Sequence, residues 1–131
     1  MTEKELNSVR KLKKRIRDLE WRLQALRTAA DNIVPVLDGL SHSSEAKSRV
    51  EKIALDLIET ERELNNSRAQ IILTKSELAD KILREVEDTT LQTLLILRYV
   101  ECLSFKETAR RMHFTLRHLY RLHEKFLKDV T

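Results

Sequence analysis

The stretch Ser104–Leu122, SFKETARRMHFTLRHLYRL, decides the fold of the C-terminal part of the chain. Ser104 followed three positions later by Glu107 is a capping-box pattern, which predicts a short helix that begins at Phe105. Thr115 can cap a second helix. The apolar face of that second helix is then predicted at Leu119, Leu122 and Phe126. Two short helices joined by a tight turn are typical of a helix-turn-helix.

The residues in and around the turn between these two predicted helices also fit a helix-turn-helix. Ala109 is small at the position where two helices must approach closely, and Met112 and Phe114 flank the turn as inward-facing apolar residues. His113 stands where many such turns have glycine in the left-handed conformation. Because His is enriched among the non-glycine residues of that region, the turn is still predicted at His113.

Composition favours an all-α fold for the whole chain. The 131 residues include one Gly and one Pro, too few for the turns of an all-β protein. The single cysteine, Cys102, excludes an internal disulfide and is typical of a reducing compartment. The first residues are charged rather than apolar, and no run approaches the length of a membrane span. We therefore expect a soluble cytoplasmic protein that has no contact with a membrane.

Residues 1–87 are predicted to form a long antiparallel helical hairpin, or coiled coil. A capping box at Thr2 and Glu5 predicts a helix from about residue 3 to 31, Pro35 lies in the break over 32–44, and a second helix follows over about 44–85. Apolar residues recur at heptad spacing along both helices, which predicts a seam that closes within one chain or across two. The seam residues assigned to homodimerisation are Val9, Leu12, Ile16, Leu19, Leu23, Leu26, Leu57, Leu64 and Ile71. Trp21 is predicted to cover the seam or to make a dimer contact.

Charge is distributed unevenly along the chain. Residues 1–31 have nine Lys or Arg against five acidic residues, residues 32–88 have eight against twelve, and residues 89–131 have eight against four. An acidic middle flanked by basic ends favours a polyanionic partner, although solvated helix faces give the same totals. The basic run over 10–17 is open to the same two interpretations.

Residues 94–109, LLILRYVECLSFKETA, resemble the signature of bacterial sigma-factor region 4. Together with residues 1–14, 34–40 and 117–123, they resemble a family of small phage and prophage proteins of Gram-positive bacteria, similar to the ArpU-like and RinA-like regulators of late transcription. The resemblance implies a helix-turn-helix DNA-binding domain over 88–131, and transcriptional control at the nucleoid of a bacterial host. The implied partners are double-stranded DNA and RNA polymerase.

The polar face of the second short helix supplies the candidate DNA-binding residues. Arg117 and Arg121 lie one turn apart, and an arginine can bond the O6 and N7 atoms of guanine together. His118 and Tyr120 are assigned to bases or phosphates, and Lys125 to a phosphate. The remaining candidates are Thr115, Leu116, Arg110 and Arg111. Leu116 either contacts a thymine methyl group or packs against a neighbour, whereas Arg110 and Arg111 are predicted to hold the DNA backbone.

Other function classes find little support in the sequence. His113, His118 and His123 are five residues apart, a spacing that does not place metal ligands on one helix face, so no metal site is predicted. One glycine cannot form a Gly-rich phosphate loop, and we predict neither a cofactor nor an enzyme. Two hypotheses remain: a DNA-binding transcription regulator, and a coiled-coil module that binds RNA polymerase or another protein without recognising DNA sequence.

Overall fold

A computed structural model describes residues 1–39 and 44–130, which fold into helices without a strand in those ranges. The helices are α1 (Glu3–Leu6), α2 (Ser8–Gly39), α3 (Ser44–Glu85), α4 (Thr89–Leu95), α5 (Phe105–Met112) and α6 (Leu116–Val130). A π-helical segment, Ile96–Val100, continues α4. The predicted all-α class and the long antiparallel pair, α2 with α3, followed by shorter helices are confirmed. No helix in the described ranges combines the length and apolar character needed to cross a membrane.

The middle of α2 and α3 forms one compact unit, residues 14–69, which we call the hairpin unit. Its core consists of Leu19, Leu23 and Leu64, which are buried, with Ile16 and Leu57 packed against them. The heptad spacing of the sequence is the cause, because it places these side chains on the facing sides of the two helices. The predicted seam therefore closes within one chain.

The second compact unit, the terminal unit, combines residues 1–13 with residues from 70 onward. Its fully buried aliphatic side chains come from α1, α2, α3, α4 and α6: Leu6, Val9, Ile82, Leu94, Leu95 and Leu119. The Lys81 Nζ atom lies 2.7 Å from the Glu5 carboxylate at the rim of this core. The first two turns of the chain are thus part of the same core as the last helix.

The predicted division at residue 87/88 stays a prediction. Helix α3 ends at Glu85 and α4 begins at Thr89, where the Thr90 amide donates to the Asp88 carboxylate at 2.9 Å. Residues on both sides of that boundary belong to the terminal unit. The interruption in the helices and the division into compact units therefore occur at different places.

The predicted end of the first helix near residue 31 is wrong, because α2 continues through Pro35 to Gly39. A proline removes one backbone hydrogen bond from a helix. Pro35 lies in the last turns of a helix of 32 residues, where a single bond is a small part of the total. The predicted break therefore begins later, and its residues 40–43 lie outside the described residues.

Candidate nucleic-acid interface

Local capping explains why α5 and α6 begin and end where they do. The Ser104 hydroxyl accepts from the Glu107 amide at 3.1 Å, and the Thr115 hydroxyl accepts from the His118 amide at 3.2 Å. His113 ends α5 in the left-handed conformation, with φ 59° and ψ 37°. The amide of Phe114 donates to the Ala109 carbonyl at 2.9 Å, which completes a Schellman turn. The predicted start of α5, the two caps and the conformation of His113 are confirmed.

One face of α6 is buried and anchors this helix in the core of the terminal unit. Leu119 is fully buried, Phe126 is 8% exposed, and the two lie on the inward side of the helix. Because side chains three and four positions apart share a face, Arg117 and Arg121 project from the other side, and both are exposed. Lys125, one turn beyond Arg121, is also exposed. Three basic side chains therefore follow one another along the outer surface of α6.

All nine candidate DNA-binding side chains are exposed, and they lie on α5, the turn and α6. They are Arg110, Arg111, Thr115, Leu116, Arg117, His118, Tyr120, Arg121 and Lys125. Two of them have rings held by neighbours: the His118 ring meets Phe114 edge-on, with centroids 4.8 Å apart, and the Tyr120 ring lies 4.9 Å from that of Phe105. These two side chains are thus oriented as well as exposed.

Leu116 begins α6 and is 42% exposed. With Ala109 and Phe114 it lines a shallow cavity of about 370 Å³, whose rim includes Lys106 and Arg110. Leu116 thus borders an open cavity and is itself accessible from solvent. A contact with a thymine methyl group is sterically possible at this position.

The two arginines of α5 are engaged by a carboxylate of the same helix. The Glu107 carboxylate accepts two bonds from Arg110, from Nε at 3.0 Å and from Nη2 at 2.5 Å, and a third from Arg111 Nε at 3.4 Å. The hydrogen bonds from Arg110 lower the pKa of Glu107 to about 2, and this pairing raises the pKa of Arg110. Glu107 therefore bonds these arginines instead of completing the predicted capping box with Ser104.

Comparisons with protein-family models, with curated proteins and with solved structures find no match to this chain. The resemblance to sigma-factor region 4 and to small phage proteins stays a prediction.

Sequence reasoning missed a buried polar pair beneath this surface. The Tyr99 hydroxyl and His123 Nε2 lie 2.5 Å apart, and the edge of the His123 ring meets Phe105 at a centroid distance of 4.9 Å. Burial, and secondarily the charge of Arg10, lowers the pKa of His123, while burial raises the pKa of Tyr99. Burial thus favours the neutral form of His123, which lies in the middle of α6. Within the described ranges, no group of three His, Cys, Asp or Glu side chains is placed to hold a metal ion.

The residues assigned to dimerisation are packed within one chain to different degrees. Those that contribute to one of the two cores are Val9, Ile16, Leu19, Leu23, Leu57, Leu64 and Ile71, and those that are half-buried are Leu12 and Leu26. Their role in a dimer stays a prediction. Trp21 is 77% exposed, so it does not cover the seam and is available for an intermolecular contact.

Proposed function

We propose that this chain is a phage-type transcription regulator that binds double-stranded DNA through α5, the turn and α6. It would act as a homodimer in the bacterial cytoplasm, at the nucleoid. The observation that supports this proposal is the exposed row Arg117, Arg121 and Lys125 on a helix whose other face is anchored by Leu119 and Phe126. A capped, rigidly packed helix with a basic outer face suits insertion into a major groove.

Each part of the row has a separate task in this proposal. The N-terminal turns of a recognition helix enter the groove, so Arg117 and Arg121 bond base edges. A bidentate arginine–guanine contact contributes about 1–3 kcal/mol of discrimination against other bases. Lys125 lies farther along α6 and meets a phosphate, which adds affinity without sequence preference.

Selection from random duplex DNA at about 0.15 M salt tests the proposal, because contacts to phosphate alone weaken steeply as salt rises. We expect an enriched motif for the wild-type protein, and two half-sites if a dimer binds. Arg117→Ala and Arg121→Ala should each relax one base pair of that motif and weaken binding by about 5- to 150-fold.

Arg22→Ala is the matched control, because Arg22 is an exposed arginine of the hairpin unit. It should leave the motif unchanged. The proposal fails if no motif is enriched, or if all three variants select the same motif with the same affinity.

A second candidate, a protein-interaction module, is favoured by the exposed apolar side chains of the hairpin unit. Trp21, Leu55 and Ile58 are 77%, 62% and 54% exposed. Leu55 and Ile58 lie three positions apart on α3 and so share a face, whereas Trp21 lies on α2. Grouped exposed apolar side chains are typical of protein contacts. Purified RNA polymerase is the partner to test first: binding that persists in Arg117→Ala/Arg121→Ala and is lost in Trp21→Ala would favour this candidate.

A further inference from the structure

Glu107 occupies one of the two edges through which Arg110 can bind a phosphate, the Nε–Nη2 edge. A guanidinium binds carboxylates and phosphates in the same bidentate manner, through two parallel N–H groups. In Arg110 the Nε and Nη2 groups both bond the Glu107 carboxylate, at 3.0 and 2.5 Å. The Nε group of Arg111 bonds the same carboxylate at 3.4 Å. The two residues assigned to the DNA backbone thus already hold an anion of their own chain.

The pairing is close to solvent, so it can exchange. The Arg110 and Arg111 side chains are 72% and 53% exposed, and that of Glu107 is 34% exposed. Exposed ion pairs are weak, because water and salt screen them. A DNA phosphate brought next to these arginines therefore competes with Glu107 on comparable terms.

We propose that Glu107 acts as an intramolecular competitor of DNA phosphate for Arg110 and Arg111, and thereby weakens the sequence-independent part of DNA binding. This inference rests on the proposed DNA binding. Glu107 halves the charge that the cluster presents to DNA, since two guanidinium groups and one carboxylate leave a single net positive charge.

Removing the carboxylate should therefore add phosphate contacts. Each additional contact steepens the salt dependence of the association constant by about 0.9 on a log–log scale. For one additional contact, the association constant rises by a further factor of roughly eight when the salt concentration falls ten-fold, from about 1 M to about 0.1 M. Glu107→Gln keeps the size of the side chain, removes its charge, and replaces one of the two acceptor oxygens by a donor NH2 group, so that the paired acceptance from Arg110 is lost. We expect it to steepen the slope by about 0.9 to 1.8, for one or two freed arginines.

The experiment measures binding of the full chain to a scrambled-sequence duplex by fluorescence anisotropy between about 50 and 200 mM salt. Wild type, Glu107→Gln and Glu101→Gln are compared. Glu101 is an exposed glutamate of the same unit, so its variant makes the same change in net charge and leaves the bonds from Arg110 and Arg111 to Glu107 in place. Glu107→Gln is also placed in an Arg110→Ala/Arg111→Ala background. Thermal unfolding of each protein verifies that it is folded.

Tighter binding and a steeper slope in Glu107→Gln alone, abolished in the double-arginine background, is the expected result. Unchanged or weaker binding would overturn the inference, since weaker binding means that Glu107 positions the arginines for DNA. An equal gain in Glu101→Gln, or a gain that survives without Arg110 and Arg111, would overturn it too.

The inference and the proposed function fail in different ways. A selected motif with an unaltered salt slope in Glu107→Gln refutes only the competition. An altered slope without any selected motif refutes only sequence-specific recognition. Absence of DNA binding by every protein at about 50 mM salt refutes both.

Discussion

Replacing Leu6 with alanine should destabilise the last helices of the chain, although Leu6 lies more than eighty residues before them. Leu6 is fully buried in the core of the terminal unit, together with Ile82, Leu94 and Leu119. Truncating a buried leucine removes its transfer free energy and leaves a cavity, a combined cost of about 2–5 kcal/mol. Domains are stable by about 5–15 kcal/mol, so this is a large fraction. At about 4 °C per kcal/mol, the melting temperature should fall by about 8–20 °C.

Urea and thermal unfolding followed by far-ultraviolet circular dichroism measure this loss. Leu73→Ala is the matched control, because Leu73 belongs to the same unit but is 65% exposed. The control should change stability by less than about 0.5 kcal/mol. If Leu6→Ala is no more destabilising than Leu73→Ala, the packing of the first turns against the C-terminal helices is refuted.

Three further outcomes follow from the structure. Because burial lowers the pKa of His123 in the folded state, the unfolded chain takes up a proton first as the pH falls. The free energy of unfolding should therefore fall as the pH drops below about 6.5. If the urea midpoint of His123→Gln has the same pH slope as that of the wild type, this prediction is wrong. His113 has the left-handed backbone conformation, so His113→Val should lower the free energy of unfolding in urea by about 1–2 kcal/mol, whereas His113→Gly should not lower it. Equal stabilities of the two variants would exclude a role for that backbone conformation. Sedimentation should find a dimer at micromolar concentration that Trp21→Ala weakens, because Trp21 is the predicted dimer contact that is exposed. A wild-type monomer would remove the homodimer from the proposal.

Local chemistry made much of the fold predictable. The caps at Thr2, Ser104 and Thr115 and the left-handed turn at His113 depend on residues within a few positions of one another. Each of these features can therefore be predicted from a short stretch of sequence. The end of α2 was harder to predict, because the free-energy cost of Pro35 depends on its position within the helix.

Partners across long distances were harder to infer. The heptad pattern placed Val9 on a buried face, yet it did not specify what covers that face, which is the core of the terminal unit. Tyr99 and His123 are 24 positions apart, and nothing local pairs them. A usable signal existed for His123, which follows Leu119 by four positions and precedes Phe126 by three, and so shares their buried face. The Glu107 pairing was obscured by a capping-box pattern with the same spacing.

The burial of Leu6 and Val9 beside Leu119 also has a consequence for synthesis on the ribosome. Translation at about 5–20 residues per second separates α1 from α6 by roughly 5–20 s, since more than a hundred residues lie between them. During that interval the hairpin unit, whose core is complete once Leu64 has emerged, can form alone. The apolar face of α1 must wait, and contacts of such high sequence separation close slowly. The core that supports the proposed DNA-binding helix would thus close only after α6 has emerged.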